Sequence, residues 1–348
     1  MKKFTLKIDL IKDETADTKT FFLRQPALKK LRYQAGQYIT VMQNIDGRLY
    51  KRPYSFSSAP SYSKSLAITV KKIEKGIFSN YMHSALREGD LLQVYEPSGS
   101  FVANTAADAD HVVLWGVGSG ITPLYSIICE ILANSAVTIV DLIYGSKNRS
   151  NTIFFNDIVA LQEQYPTRFK SYLFYSNVDE NQDFFSNEFI GRINFDVIKF
   201  LFLPFKDKKL LHYICGPKAM KTFIEDQLIE SGVLQTDIFT ESFQNVVNKD
   251  DFADVEDTSV LIILNGRENV VFVPKGQSIL EAALDNNIDI PYSCQVGNCS
   301  SCVGVCSDGN IKVIGMNDHR DDLLDNQYLL CCSFPITNNV TIIINNLN

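Results

Sequence analysis

What this 348-residue chain lacks narrows its function first. No stretch approaches the ~18 consecutive apolar residues that a membrane-crossing helix needs, so no membrane span is expected. The opening Met1-Lys-Lys-Phe-Thr-Leu-Lys-Ile8 has no apolar core of a secretory leader and reads instead as a first strand. A cytoplasmic protein with reduced thiols is therefore expected. An excess of positive charge is also missing: 33 Lys and Arg stand against 40 Asp and Glu, a net −7, which argues against a nucleic-acid partner. Internal repeats and low-complexity tracts are absent. What remains is an ordinary globular composition, 45% hydrophobic, in a chain long enough for two or three domains. The charge is uneven: 17 Lys and Arg against 9 Asp and Glu make residues 1–103 net positive, and both later segments are net negative.

Cysteine is the residue whose distribution stands out. Six of the eight fall between 294 and 332: three in Cys294-Gln-Val-Gly-Asn-Cys299-Ser-Ser-Cys302, then Cys306, and a later Cys331-Cys332 pair. The spacing C-x4-C-x2-C with a distant fourth Cys is the ligand pattern of a plant-type [2Fe–2S] cluster. A zinc site usually pairs two C-x2-C knuckles, and only one is present. Gly297 gives the loop the freedom to curl around the metal. Upstream, Ser278 and Glu281 predict a capping box on a short helix with Leu280, Ala283 and Leu284 on its apolar face. Neighbouring side chains on an extended segment point to opposite sides, so only one of Cys331 and Cys332 faces the metal. The run resembles the ferredoxin family, a β-grasp fold with one [2Fe–2S] centre. That resemblance places a register L-x-C-x-x-x-P on Leu329-Leu-Cys331-Cys-Ser-Phe-Pro335. It implies Cys294, Cys299, Cys302 and Cys331 as ligands, keeps Cys332 as a rival for the fourth position, and leaves Cys332 and Cys306 as buried thiols.

Residues 1–103 alternate like strands. Thr20–Leu23, Gln37–Val41, Leu66–Val70 and Leu91–Tyr95 are β-rich runs between Gly and Pro turns, which predicts a small antiparallel barrel. Within them, Arg52-Pro53-Tyr54-Ser55-Phe56-Ser57-Ser58 joins a phosphate-binding fork, a flat stacking ring and a small hydroxyl. This resembles the R-x-Y-S motif of the ferredoxin–NADP reductase superfamily. The resemblance implies Arg52 on the flavin phosphate, Tyr54 on the isoalloxazine and Ser55 facing its N5. Lys72-Ile-Glu-Lys-Gly76-Ile-Phe-Ser79 resembles the G-x-x-S segment of the same superfamily, which implies contacts of Lys72, Gly76 and Ser79 with the pyrophosphate and hence FAD rather than FMN.

Past residue 103 strands and helices alternate, which predicts a parallel α/β sheet. The strand at His111 runs into Gly116-Val-Gly118-Ser-Gly120-Ile-Thr122-Pro123, with Thr122 expected as N-cap and Pro123 at the first helical position. Glycines let backbone approach a pyrophosphate at the helix N-terminus, although the spacing is not the Rossmann G-x-G-x-x-G. Further elements are expected as a strand near Val137–Tyr144, a helix near Asp157–Gln164, a strand at Phe169–Tyr175 and a helix near 196–202. The strand Leu211–Ile214 leads into Cys215-Gly216-Pro217, with Met220 following. The glycine turn resembles the superfamily's G-x-G-S/T-G-I-T-P segment, which implies nucleotide contacts at Gly118, Gly120 and Thr122. The later turn resembles C-G-P-x-x-M, which implies Cys215, Gly216 and Pro217 beside the nicotinamide. Ile238–Phe243 resembles the closing strand, with Glu241 and Phe243 near the flavin. Ser146, Lys147 and Arg149 form a short basic cluster, with no acidic residue among them, suited to a 2′-phosphate, so NADPH is expected over NADH.

The chain thus reads as a multidomain protein. Residues 1–103 form an antiparallel β-barrel FAD domain, and 104–243 an α/β parallel-sheet NAD(P)-binding domain. An acidic linker at 244–258 leads to an α+β β-grasp ferredoxin domain at 259–348. The order resembles the reductase components of multicomponent oxygenases. It implies an NAD(P)H oxidoreductase with catalytic roles for Ser55, Cys215 and Glu241, passing electrons singly to an acceptor protein such as an oxygenase component. The alternatives are a reductase of a desaturase or small ferredoxin, and a non-catalytic metal-binding protein.

Overall fold

The computed structural model describes residues 2–25, 31–103, 109–177, 184–194, 209–245, 247–316, 320 and 322–345. The chain divides into two compact units, Met1–Glu241 and Ser242–Asn348.

The first unit opens with six strands: β1 (Lys3–Thr15), β2 (Thr18–Arg24), β3 (Tyr38–Ile45), β4 (Arg48–Ser55), β5 (Leu66–Lys71) and β6 (Leu91–Tyr95). They bond in the order β4-β3-β6-β1-β2-β5, each pair antiparallel. A Phe56–Ile68 bridge just past β4 joins the two ends of that order and closes the barrel. Alternation puts Leu6, Ile8, Phe21, Leu23, Ile39, Val41, Ile68, Val70, Leu92 and Val94 in one buried core, as the period of two requires. Helix α1 (Ile77–Ser84) buries Phe78 and Met82 in the same core.

The second layer of this unit is a six-stranded sheet: β7 (His111–Val117), β8 (Ile139–Ser146), β9 (Phe169–Tyr175), β10 (Glu188–Ile190), β11 (Leu210–Cys215) and β12 (Ile238–Glu241). The order is β10-β9-β8-β7-β11-β12, with parallel pairs throughout. Helices α2 (Ile121–Asn134), α3 (Phe155–Gln164) and α4 (Lys218–Glu230) complete it. Strands β7, β8 and β11 are almost continuously buried, as covered parallel strands are. The order reverses around β7, with β8 on one side and β11 on the other, which makes the carboxyl ends of these strands the ligand-binding edge. The helix expected near 196–202 lies outside the described residues.

The second unit holds β13 (Thr258–Leu264), β14 (Arg267–Val273), β15 (Val303–Asp308), β16 (Ile311–Val313), β17 (Gln327–Leu329), β18 (Ser333–Pro335) and β19 (Thr341–Ile344). Five form a mixed sheet, β14-β13-β19-β15-β17, and β16 pairs with β18. Helix α5 (Ile279–Asp285) lays Ile279, Leu280, Ala282 and Ala283 on this core, with Leu284 at its margin. The expected capping box is formed: Ser278 Oγ accepts from Glu281 N at 3.2 Å, and Glu281 Oε2 accepts from Ser278 N at 3.0 Å. The acidic stretch 244–258 is built into this unit rather than hanging free. Asn248 and Asp251 cap a short 3-10 turn, and Val255 is buried with Ile314 and Phe334. Among the described residues, no helix is long and apolar enough to cross a membrane.

Candidate functional site

The flavin motif sits on β4. Arg52 is partly exposed. Its Nη1 donates to its neighbour's carbonyl at 2.8 Å and its guanidinium lies 6.0 Å from the Tyr50 ring, but it makes no ion pair among the described residues. A guanidinium without a carboxylate is available to a phosphate. Tyr54, partly buried, lies 6.1 Å ring to ring from Phe78 of α1, so the structure brings the two flavin pieces together. Burial raises the Tyr54 phenol above its usual range, against the opposing Arg52 charge, so the ring stays neutral. Ser55 is buried at the strand end, opposite Tyr38. Gly76 is the N-cap of α1, where a Cβ would stand 2.8 Å from Ser79 Oγ. Ser79 is buried, and its Oγ accepts from Ile73 N at 3.1 Å, so it shapes the turn ahead of the helix. Lys72 is exposed beside that turn.

The glycine turn follows β7, with Gly118 at φ +58°. Helix α2 begins at Ile121 with Gly120 as N-cap, two residues before the expected start. The reason is the 3-10 turn Gly118–Gly120, which runs directly into the helix. Thr122 therefore is not the cap; it is buried, and its hydroxyl donates to Ser119 O at 3.0 Å. Pro123 falls third in the helix, still within the turn whose N–H groups lack intrahelical partners. Tyr144 of β8 donates to Gly118 O at 2.9 Å and braces the turn.

Cys215 closes β11 and pairs with Gly116 on one side and Glu241 on the other. A Cβ on Gly120 would stand 2.1 Å from Cys215 O, so the two nucleotide motifs are in direct backbone contact, which only glycine permits. Gly216 is covered by Met220, whose methyl would lie 2.4 Å from a Cβ there; Pro217 is exposed as the N-cap of α4. Burial pushes the Cys215 thiol well above its ordinary range, and Glu241 adds to this while Lys221 opposes it. Cys215 is thus a thiol near neutral pH, suited to packing and weak hydrogen bonding rather than nucleophilic attack. Glu241 is buried, and Phe243 is exposed in the second unit.

The barrel and the sheet meet just beyond the flavin motif. Ser126 of α2 donates to Ser58 O at 2.6 Å within a buried patch, and Tyr213 donates to Val102 O at 3.1 Å. A Cβ on Gly36 would strike Phe101 O at 2.0 Å and reach Ile127 at 3.0 Å.

Ser146 bonds Thr152 Oγ1 at 2.8 Å, and Lys147 is exposed. Arg149 is engaged elsewhere. Its Nε donates to Glu188 Oε1 at 2.9 Å, and its Nη2 reaches the other oxygen of that buried carboxylate. Glu188, 39 residues onward, is the acidic neighbour that the local sequence does not display.

The cysteines of the second unit converge. Cys294, Cys299, Cys302 and Cys331 are buried. Cys294 lies within hydrogen-bonding reach of Cys299 and Cys331, and Cys331 of Cys302. Donation by Cys299 and then Cys331 holds the Cys294 thiol below its ordinary range, and the same sharing pushes Cys299 and Cys331 upward. Gly297 takes φ +78°, and a Cβ there would press on Cys332 Sγ and Met316 Cγ, each at 3.1 Å. The pair is not on an extended segment as expected: Leu330–Cys332 form a 3-10 turn, so alternation does not separate the two side chains, and the fully buried Cys332 Sγ lies 3.7 Å from Cys331 Sγ. Cys306 is not a buried thiol as expected: it is half-exposed on β15, bonding Asp308 O at 3.2 Å. Among the described residues, no three His, Cys, Asp or Glu side chains surround a single ion. A two-iron centre held by four thiolates does not require them to. Four buried sulfurs around a glycine-permitted curl fit that group.

Sequence reasoning missed Arg320. It donates to Gly297 O at 3.0 Å and Ser300 Oγ at 2.6 Å and pairs with Asp322, bracing the cysteine loop with a cation. Its signal was present: no other Lys or Arg follows Lys312.

Barrel, nucleotide sheet and thiol cradle together define a flavin- and iron–sulfur-dependent oxidoreductase that uses a pyridine nucleotide. Residues 5–102 match the oxidoreductase FAD-binding domain, 114–226 the oxidoreductase NAD-binding domain and 262–337 the 2Fe-2S iron-sulfur cluster binding domain. The chain therefore carries an FAD-binding, an NAD-binding and a [2Fe–2S] cluster-binding domain in that order. It is 29% identical over 349 residues to a subunit of the 1,2-phenylacetyl-CoA epoxidase of Escherichia coli (strain K12), covering 97% of this chain and 96% of that protein. It is 27% identical over 353 residues to the ferredoxin reductase component of 3-ketosteroid-9-alpha-monooxygenase of Rhodococcus rhodochrous, covering 97% and 95%. Among solved structures, phthalate dioxygenase reductase shares the fold with a TM-score of 0.68 at 24% identity over 98% of each chain.

Proposed function

We propose that this chain is the reductase component of an oxygenase system and delivers electrons from NADPH to a separate oxygenase protein. The observation that carries the reading is the order FAD-binding, NAD-binding and [2Fe–2S] in one chain, in step over 97% of its length with proteins of oxygenase systems. When bound, FAD takes a hydride from the nucleotide and the cluster passes electrons one at a time. A desaturase or small ferredoxin as acceptor lacks a comparable relative among those just described. The domain limits that go with this reading are 1–103, 104–243 and 259–348, with 244–258 between the last two. A cytoplasmic setting belongs to the same reading; fractionation of the native cell that placed the protein elsewhere would oppose it.

In this reading Arg52 holds the flavin phosphate, and Lys72, Gly76 and Ser79 shape the pyrophosphate end. Tyr54 offers a neutral ring to the isoalloxazine, and Ser55 a hydroxyl to its N5. Gly118, Gly120 and Thr122 let backbone N–H groups approach the nucleotide pyrophosphate. Cys215, Gly216 and Pro217 line the nicotinamide side. Glu241, the neighbour of Cys215 in the sheet, flanks the flavin. The 2′-phosphate rests on Ser146 and Lys147, because Glu188 engages Arg149. Cys294, Cys299, Cys302 and Cys331 hold the irons; the contacts of Cys331 with Cys294 and Cys302 favour it over Cys332.

Anaerobic addition of NADPH should bleach the flavin and iron–sulfur absorption in turn, and a paired oxygenase should reoxidise both. A protein that binds neither cofactor, or a tenfold higher kcat/KM with NADH, would refute the corresponding part.

A further inference from the structure

Asn245 lies in the stretch that the sequence presents as a linker, yet its side chain spans two arms of the cysteine cradle. Its Nδ2 donates to Gln295 O at 3.1 Å, immediately after Cys294, and to Cys332 Sγ at 3.4 Å, immediately after Cys331. Gln295 takes φ +60°, a left-handed conformation uncommon outside glycine, in the turn that presents this carbonyl. The amide cannot be reversed, because its oxygen would then face the Gln295 oxygen. As placed, Oδ1 is buried and accepts no hydrogen bond among the described residues. A fold that leaves one amide atom unsatisfied in order to aim the other at a sulfur has specified that contact.

Cys332 continues the line. Its Sγ lies 3.7 Å from Cys331 Sγ and fills the space that a Cβ on Gly297 would need. A cysteine bound to metal carries no proton. If Cys331 is the fourth ligand, as in the function proposed above, Cys332 must be the donor of that pair.

We propose that Asn245 and Cys332 are positioning residues that form a hydrogen-bond relay, Asn245 Nδ2–H to Cys332 Sγ–H to Cys331 Sγ, which raises the reduction potential of the [2Fe–2S] centre. Reduction adds negative charge to the cluster, and donors aimed at its sulfurs stabilise that charge. Donation by Asn245 polarises the Cys332 S–H and strengthens the second bond.

The test uses the full chain loaded with FAD and cluster, in wild-type form and as Asn245→Leu, Cys332→Ala and the double variant, with Cys331→Ser made separately as a ligand control. Iron content and the visible spectrum report the ligand set; an EPR-monitored titration reports the midpoint potential. The expected result is full iron content in all three, with each single variant shifting the electron-sharing equilibrium at least threefold toward the oxidised cluster. That is about 28 mV downward at 59 mV per decade for a one-electron couple. The double variant should shift no further than the larger single one, because both remove one relay. Unchanged potentials with intact clusters overturn the relay and leave the ligand assignment standing. Loss of the cluster in Cys332→Ala, with retention in Cys331→Ser, overturns the ligand assignment and the relay with it. Should Asn245→Leu fail to fold, Cys332→Ala decides the question by the same readouts.

Discussion

At the scale of single residues, the useful distinction is between charged groups already neutralised by the fold and those left for a ligand. Arg149 and Arg52 have the same side chain, and local sequence recommends both for phosphate. The fold turns Arg149 onto Glu188 and leaves Arg52 without an ion pair among the described residues. Arg52→Ala should weaken FAD binding about 10- to 150-fold, from the roughly 1.5–3 kcal/mol of a charge-assisted phosphate contact. Equilibrium titration of the flavin-free protein with FAD measures this, and unchanged affinity would remove Arg52 from the site. Arg320 makes the complementary point. It stands alone among acidic residues in sequence, and its place beside Gly297 and Ser300 exists only once the two loops have met.

At the scale of elements, the proposed nucleotide site depends on how closely two strand ends approach. Strands β7 and β11 are register neighbours, so their carboxyl-end turns must pass each other where Gly120 meets the Cys215 carbonyl. Gly120→Ala introduces a methyl at 2.1 Å from that oxygen, so one turn has to move. Displacements of about 1 Å at a reacting centre cost on the order of 100-fold. The variant should therefore retain FAD and iron but lose kcat/KM for the nucleotide by about that factor, measured by stopped-flow reduction of the flavin. Wild-type kinetics would show that the turn yields without disturbing the site. The same turn explains the early start of α2. A run of Gly, Ser and Gly can tighten into a 3-10 turn, and the helix then needs no side-chain cap, whereas the local capping rule anticipates Thr122.

At the scale of the whole molecule, two compact units carry the three cofactor domains, and each has its own buried core. In the first unit, His212 is buried on β11, and Trp115 Nε1 donates to its Nδ1 at 3.4 Å, which requires that nitrogen to be unprotonated. Burial first, then the neighbouring His111, drives its pKa down to about 3. The unfolded chain protonates near 6.5, so unfolding takes up a proton at any pH between the two values. The stability contributed by neutral His212 is complete above about pH 6.5 and declines as pH falls toward 3, with a slope of up to about 1.4 kcal/mol per pH unit. Urea unfolding of the full chain at pH 7 and pH 5 should show this loss for the first unit, and His212→Gln should flatten it. Equal pH slopes in the two proteins would mean that His212 is not held neutral.

The sequence by itself determined which chemistry the chain carries. The C-x4-C-x2-C run, the R-P-Y-S strand end, the glycine turn and the C-G-P turn are local patterns, each legible from residues close together in the chain, whereas the fourth cysteine had to come from the family register. It also anticipated the barrel strands, the parallel sheet and the Ser278–Glu281 cap, where side-chain period and backbone bonding agree. Tertiary structure alone decided what these groups face. Glu188 engages Arg149 from 39 residues away, Cys215 closes on Gly120, and Asn245 reaches Cys332 across 87 residues. The half-exposure of Cys306 and the packing of the 244–258 stretch are of the same kind. Partners so far apart are chosen by strand order and core packing, which bring together residues that no local period relates.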